Sequence, residues 1–259
     1  MATLIVERSL RPVWRQGLNV GAYVAVITVN ALANALPING ITSGAVSDRF
    51  PTFVTPAGYV FAIWGLIYAL LAVFVGYQAL PSQRDEPALR DLGLAFVASC
   101  ACNAAWLFAW HHLQIALAWA LIVALLLTLI VCYERLRAAD DTRAHRLAVR
   151  LPFSVYLGWV TVATVANTAI LLVDAGVDGG AAAPAWGTVA LLAATGIGLT
   201  MLVRRHDVAF ALVVTWALVG IAVAQADRST LIVIVAGGAA AVLAVAAGVT
   251  AARLVRTGA

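Results

Sequence analysis

The chain has 259 residues, of which 63% are apolar and only 11% charged, and its mean hydropathy is +0.97. A soluble domain of this length needs a polar surface that so few charged residues cannot provide. A helix that crosses about 30 Å of hydrocarbon needs roughly 20 apolar residues, so there is room for about eight spans with short loops. The composition therefore predicts an all-α, polytopic membrane helix bundle without a large soluble domain.

The basic residues are all arginines, 16 in number, and the net charge is +4 at pH 7. Without lysine the chain cannot form a retinal or pyridoxal Schiff base, and it cannot build a Walker A phosphate loop. Rhodopsin-like photochemistry and P-loop ATP hydrolysis are therefore excluded. Arginines close to anionic lipid account for the positive charge, so no nucleic-acid partner is expected.

Eight apolar runs bounded by charged or turn residues are predicted to be transmembrane helices. In chain order they extend from Gly17 to Leu36, Ala57 to Leu80, Leu92 to Trp110, Leu113 to Tyr133, Leu151 to Val173, Ala185 to Val203, Val208 to Ala226 and Leu231 to Ala252. The residues before Gly17 include Glu7, three arginines and Pro12, without a clear cleavage site. We interpret them as a lead-in to the first helix and not as a removed signal peptide.

The distribution of the arginines predicts how the chain is oriented. If the N-terminus is cytoplasmic, 14 of the 16 arginines fall in inside segments, and only Arg49 and Arg228 fall outside. This bias follows the positive-inside rule, provided that the number of spans is even. The expected location is the cell membrane, with several passes and with both the N- and the C-terminus in the cytoplasm.

Four of the predicted helices carry stripes of amides and aromatic rings, because spacings of three, four or seven residues place side chains on one helix face. The stripes contain Asn30 and Asn34; Trp64 and Tyr68; Ser99, Asn103, Trp106 and Trp110; and Trp159, Ala163 and Asn167. With a rise of ~1.5 Å per residue, several of these residues reach a shared depth on the order of 10 Å below the outer ends of their spans. Two interpretations stay open: a ligand pocket in the outer half of the bundle, or interhelical amides with an interfacial aromatic belt.

Three segments of the first five predicted helices carry more specific patterns of Trp, Tyr and Asn. They are FVTPAGYVFAIWGLIY, CNAAWLFAW and YLGWVTVATVAN. In this order they resemble motifs of the TspO/MBR family, the translocator or tryptophan-rich sensory proteins, over residues 17 to about 175. The resemblance implies a five-helix ligand-binding bundle over residues 1–175, and three more helices would form a C-terminal membrane extension over residues 176–259. The chain departs from the family pattern before Trp64, where Ala62 and Ile63 replace a Pro-Val pair.

The resemblance also implies a function, namely a membrane sensor or binding protein for a flat hydrophobic ligand that is tetrapyrrole-like or sterol-like. Ligand-binding residues carried over from the family motifs are Trp64, Asn103, Trp106, Trp159, Ala163 and Asn167. The helical stripes add Tyr68 and Asn34 to this set. No cofactor is expected to be obligatory, although a porphyrin, haem or sterol-like molecule could be the bound ligand. The expected partners are this ligand and membrane lipid, and homo-oligomer formation is left open.

Two other functions stay open on sequence grounds. A transporter or permease for a small hydrophobic molecule would use the additional helices to complete a path, and an enzyme acting on a bound tetrapyrrole would place Trp64 and Trp159 near the ring. The carboxylates lie in loops or at span ends, which argues against a proton-driven carrier. No nucleophile elbow, metal-hydrolase motif or paired-carboxylate site occurs, so neither catalysis nor a metal site is expected.

Overall fold

The computed structural model of the protein describes residues 2–36, 38–137 and 142–257, with the side chains of all of these except residues 2–12, 34 and 257. The described residues form helices and turns and contain no strand, which confirms the all-α prediction. The helices are α1 (Ala2–Ala35), α2 (Ser43–Ser47), α3 (Ile63–Gln78), α4 (Pro87–Leu92), α5 (Ala95–His111), α6 (Ile115–Leu136), α7 (Arg143–His145), α8 (Leu151–Asp174), α9 (Ala183–Arg205), α10 (Val208–Ala224) and α11 (Thr230–Thr257). A π-helical turn at Arg146–Arg150 joins α7 to α8, and short 3₁₀ turns occur at Ile38–Gly40, Gly58–Ala62, Pro81–Gln83 and Gly180–Ala182.

Every predicted span overlaps a helix, and six segments are long and apolar enough to cross a membrane. These are Val13–Gly40, Gly58–Gln78, Ile115–Leu136, Arg143–Asp174, Gly180–Arg205 and Thr230–Arg256. Helices α5 and α10 have only 17 residues each, a length of ~26 Å at 1.5 Å per residue. The described residues therefore form a polytopic helical membrane protein, in which the helices of two of the eight predicted spans, α5 and α10, are not among the six segments long and apolar enough to cross a membrane.

The start of α5 differs from the sequence prediction for a local reason. The third span was predicted to begin at Leu92, but Gly93 adopts φ 57° and ψ −128°, and its N–H donates to the carbonyl of Arg90 at 3.1 Å. A positive φ of this kind interrupts a helix and is tolerated best by glycine. The short helix α4 therefore ends at Leu92, and the longer helix α5 begins only at Ala95.

A two-residue turn joins α9 to α10. His206 adopts the left-handed conformation with φ 53° and ψ 29°, and its N–H donates to the carbonyl of Leu202 at 3.1 Å. Asp207 then caps α10, because its Oδ1 accepts from the N–H of Phe210 at 2.9 Å. A connection this short makes the two helices antiparallel neighbours, and they pack against each other.

The chain folds into two compact units. The first unit contains Met1–Thr42 and Trp64–Leu157, and the second contains Ser43–Ile63 and Gly158–Ala259. Helix α8 contributes residues to both units because the division falls after Leu157. The predicted boundary near residue 175 was placed on a change in composition and on the family motifs, and it stays a prediction.

The first unit has an aromatic core in which three phenylalanine rings meet edge to face. The ring centroid of Phe74 lies 5.1 Å from that of Phe96 and 4.9 Å from that of Phe153. The Phe96 and Phe153 centroids are 5.9 Å apart. Edge-to-face contacts of this kind stabilise a core by about 0.5–1.5 kcal/mol beyond the burial of apolar area. The core joins α3, α5 and the start of α8.

In the second unit, α9, α10 and α11 pack against one another, and the segment that precedes α3 lies against α10. The backbone N–H of Ala57 donates to the carbonyl of Gly220 at 3.1 Å. A Cβ atom on Gly220 would collide with the side chain of Val60. The glycine therefore allows the 3₁₀ turn at Gly58–Ala62 to approach the helix closely, and the Nε1 of Trp216 adds a hydrogen bond to the Val60 carbonyl at 3.2 Å.

Candidate functional site

Asn103 lies at the centre of a buried hydrogen-bond network in the first unit, and its side chain is 0% exposed. Its Oδ1 accepts from the Nδ2 of Asn30 at 3.1 Å and from the hydroxyl of Tyr68 at 3.4 Å. Its Nδ2 donates to the hydroxyl of Tyr156 at 2.7 Å. Residues from α1, α3, α5 and α8 thus meet at one amide, as expected where a membrane interior offers no water to satisfy a polar group.

Aromatic rings surround this network, with Trp64 at their centre. The Trp64 ring stacks on Tyr68 with centroids 5.6 Å apart and planes 18° apart, and it lies 6.2 Å from Trp106 at 31°. Trp106 in turn stacks on Trp110 at 5.9 Å and 20°. Tyr156 meets Trp64 nearly edge-on at 6.0 Å. We call these five rings, together with Asn30 and Asn103, the aromatic–amide cluster.

The members of the aromatic–amide cluster differ in their exposure. Tyr68, Trp106, Trp110 and Tyr156 are each less than 10% exposed, and Asn30 is also buried. Trp64 is only half-buried, although it touches three of the other rings. Trp64 is therefore the most exposed residue of the aromatic–amide cluster.

The predicted residues of the fifth span lie in the second unit. Trp159 is 2% exposed, and its ring meets that of Phe61 edge to face at 5.9 Å. Asn167 is buried, and its Nδ2 donates to the carbonyl of Ala163, one turn earlier, at 2.9 Å. Ala163 itself is partly buried. The side chain of Asn34, which was also predicted to bind ligand, lies outside the described residues.

The structure thus brings together Trp64, Tyr68, Asn103 and Trp106 from the predicted set. Trp159, Ala163 and Asn167 stay predicted ligand-binding residues, as does Asn34. Three members of the aromatic–amide cluster were absent from that set, namely Asn30, Trp110 and Tyr156. Asn30 and Trp110 lie on predicted helical stripes and Tyr156 belongs to the YLGWV segment, so all three signals were present in the sequence.

Potential metal ligands in the described part of the chain are His, Cys, Asp and Glu side chains. Among residues 2–36, 38–137 and 142–257, no group of three or more His, Cys, Asp or Glu side chains could hold a metal ion. The three cysteines form no disulfide, and Cys100 and Cys132 are buried.

A cavity of about 240 Å³ lies in the second unit, where no sequence motif predicted one. Its walls are residues 51–54, one face of α8, the turn after α8 and the beginning of α9. The lining residues are Pro51, Thr52, Phe53, Val54, Val165, Thr168, Ala169, Leu172, Val173, Val177, Asp178, Ala183, Trp186, Gly187 and Ala190. None of the residues predicted to bind ligand belongs to this lining, although Phe53 and Val54 begin the first family-like segment.

The fold and the aromatic–amide cluster define an α-helical, polytopic membrane protein with buried amides and stacked tryptophans in its first unit. Residues 16–249 match the model of the TSPO-like protein family. The chain therefore belongs to the TSPO-like family, which confirms the resemblance inferred from its motifs. The match continues to residue 249 and so includes α9, α10 and most of α11 as well as the motif-bearing region. Comparisons with curated proteins and with solved structures found no match.

Proposed function

We propose that this membrane protein of the TSPO-like family is a sensor or binding protein for a flat hydrophobic ligand, tetrapyrrole-like or sterol-like. The observation that supports this function best is the half-buried ring of Trp64 within a stack of nearly parallel rings. A planar apolar molecule would extend that stack over the accessible part of the indole. Ligand sites of this type are mostly aromatic and apolar, with a few polar groups that orient the ligand.

The hydrogen bonds of Asn103 support the same proposal because they make the aromatic wall rigid before any ligand arrives. The hydroxyls of Tyr68 and Tyr156 both bond to Asn103, and both of these rings contact Trp64. A wall that is ordered in advance loses less conformational entropy when a ligand binds. We therefore assign Asn103 a positioning role, in which it acts through the two tyrosines.

We further propose that the ligand is bound without being chemically changed and that no cofactor is obligatory. The aromatic–amide cluster presents indoles, phenols and amides, which are groups suited to stacking and hydrogen bonding. The ligand and membrane lipid would be the main partners.

The orientation in the membrane is also part of the proposal. We infer a cell-membrane protein with both termini in the cytoplasm, because 14 of its 16 arginines would then lie on the cytoplasmic side. In this orientation Arg49 and Arg228 are the two arginines on the outer side.

Titration of the full-length protein with protoporphyrin IX, in lipid nanodiscs, tests the proposed binding face. Trp64→Ala should weaken binding about tenfold, equivalent to ~1.4 kcal/mol, because a stacking surface is lost. Trp64→Phe keeps a ring and should lose less. Trp14→Ala is the matched control, since Trp14 is 52% exposed and lies outside the aromatic–amide cluster. Equal affinities for the wild type and a folded Trp64→Ala variant would contradict the proposal.

A further inference from the structure

We call the cavity in the second unit the loop cavity. One of its walls, residues 51–54, is hydrogen-bonded to the residues that follow α10. The carbonyl of Thr52 accepts hydrogen bonds from the Nε2 of Gln225 at 3.2 Å and from the guanidinium of Arg228 at 3.3 Å. The same guanidinium lies over the ring of Phe53, 5.3 Å from its centroid. Gln225 is 1% exposed, so its bond to Thr52 is protected from water. Residues 51–54 are thus held in place by the end of α10 and by the turn that follows it.

A glycine on α9 allows the loop to approach that helix. A Cβ atom on Gly187 would come within 2.8 Å of the Cβ of Phe53, closer than real side chains allow. The neighbouring Trp186 is 48% exposed, and the backbone turn at Gly179 lies beside its ring. The loop cavity therefore has aromatic rings from two separate chain segments in its lining, at Phe53 and Trp186.

The size and charge of the loop cavity restrict what it can bind. A volume of about 240 Å³ lies just below the ~300–1,000 Å³ of sites for drug-sized ligands. Asp178 is an exposed carboxylate in the lining, and its Oδ1 already accepts from the N–H of Gly180 at 2.9 Å. A carboxylate can accept several hydrogen bonds, so Oδ2 can still receive one from a ligand. Apart from Asp178, Thr52 and Thr168 the lining residues are apolar, so the cavity favours a neutral ligand.

We propose that the loop cavity is a second binding site, for a small neutral molecule of two fused aromatic rings with one hydrogen-bond donor. The rings of this molecule pack between Phe53 and Trp186, and its hydroxyl or ring N–H donates to Asp178. This site is separate from the aromatic–amide cluster, whose residues do not line it. It uses residues of α9, which the three family-like segments do not include.

The test uses 6-fluoro-2-naphthol as the probe, with ¹⁹F NMR line broadening measured on the full-length protein in detergent micelles. Ala190→Phe fills the cavity and should lower the affinity at least tenfold. The matched control is Ala193→Phe, which makes the same change at an exposed position one turn further along α9. If Ala190→Phe fails to fold, Ala169→Phe on the α8 wall provides the same test. Equal affinities in the filled variant and in the control would overturn the proposal.

Asp178→Asn tests the polar contact separately. The substitution keeps an oxygen for the N–H of Gly180 but replaces the other acceptor with a donor. The affinity for 6-fluoro-2-naphthol should fall about twofold to fivefold, as expected for an exposed charged group. Binding of 2-fluoronaphthalene, which has no donor, should not change. If both probes respond equally to Asp178→Asn, the assigned role of the carboxylate is wrong.

The two proposed sites can fail independently of each other. Ala190→Phe should leave protoporphyrin IX binding unchanged, and Trp64→Ala should leave 6-fluoro-2-naphthol binding unchanged. A loss of naphthol binding in Trp64→Ala would overturn the assignment of the probe to the loop cavity. If Trp64→Ala loses porphyrin binding but keeps naphthol binding, the result supports both assignments, because each probe then responds only to its own site.

Discussion

The Nδ2 of Asn103 donates a hydrogen bond of 2.7 Å to the hydroxyl of Tyr156, and both side chains are at most 2% exposed. This bond connects α5 to the beginning of α8 within the first unit. The Oδ1 of Asn103 also accepts hydrogen bonds from Asn30 and Tyr68. Removal of the Asn103 amide would therefore take a hydrogen-bond partner away from three buried side chains at once. The amide is thus a structural element of the unit as well as a support for the aromatic wall.

Asn103→Ala should destabilise the protein. The substitution leaves the two tyrosine hydroxyls and the Asn30 amide without this partner, at a cost of about 1–3 kcal/mol. We expect a clearly lower thermal unfolding temperature for the purified protein in detergent, and weaker porphyrin binding together with it. Thr200→Ala is the control, because that hydroxyl is exposed and bonds only within its own helix, to Gly196. An Asn103→Ala variant that is as stable as the wild type would contradict the network described here.

Gly220→Ala should destabilise the second unit. The added methyl group would collide with Val60, and overpacking of this kind costs about 1–3 kcal/mol. Gly237→Ala is the matched control, because no atom lies within 4 Å of the Cβ position on that glycine. We expect a lower thermal unfolding temperature for the first variant and an unchanged or slightly higher one for the second. Equal thermal unfolding temperatures for the two variants would contradict the close approach of the 3₁₀ turn to α10.

Gln225→Met should loosen residues 51–54 without unfolding the protein. It removes the donor to the Thr52 carbonyl but adds little strain, because methionine has a similar length. The Oε1 of Gln225 accepts no hydrogen bond within the described part of the chain, so only one bond is lost. With about 1 kcal/mol per bond, the amide of Val54 should exchange its hydrogen roughly fivefold faster. Asp227→Asn, at an exposed neighbouring position, should leave this exchange rate unchanged.

The orientation can be tested with reporters at four positions. Fusion after Ala259 and insertion at Arg143 should place a reporter in the cytoplasm, because the surrounding segments are rich in arginine. Tags near Ser47 and Gly179 should be accessible from outside. An external C-terminus would mean that an odd number of helices crosses the membrane.

Much of the helical architecture was predictable from the sequence because it depends on local properties. Long apolar runs predicted helices at α1, α3, α6, α8, α9 and α11, since a backbone in hydrocarbon must satisfy its hydrogen bonds internally. The motifs around Trp64, Asn103 and Trp106 indicated the family that residues 16–249 match. The spacing of these residues also placed them on inward stripes, where the structure joins them with Tyr68. These predictions needed only spacing along a single helix.

Other features were decided by tertiary packing between distant parts of the chain. Asn103 forms a hydrogen bond with Tyr156, which lies 53 residues further along the chain, and Gln225 forms one with Thr52, which lies 173 residues before it. An amide can bond to many partners, so the sequence alone predicted a polar face at Asn103 but not which hydroxyl would meet it. The loop cavity likewise lies where Phe53 approaches α9 closely at Gly187, which is far away in the sequence. Helical periodicity determines which side chains share a face, whereas the packing of one helix or loop against another determines which faces meet and where space is left between them.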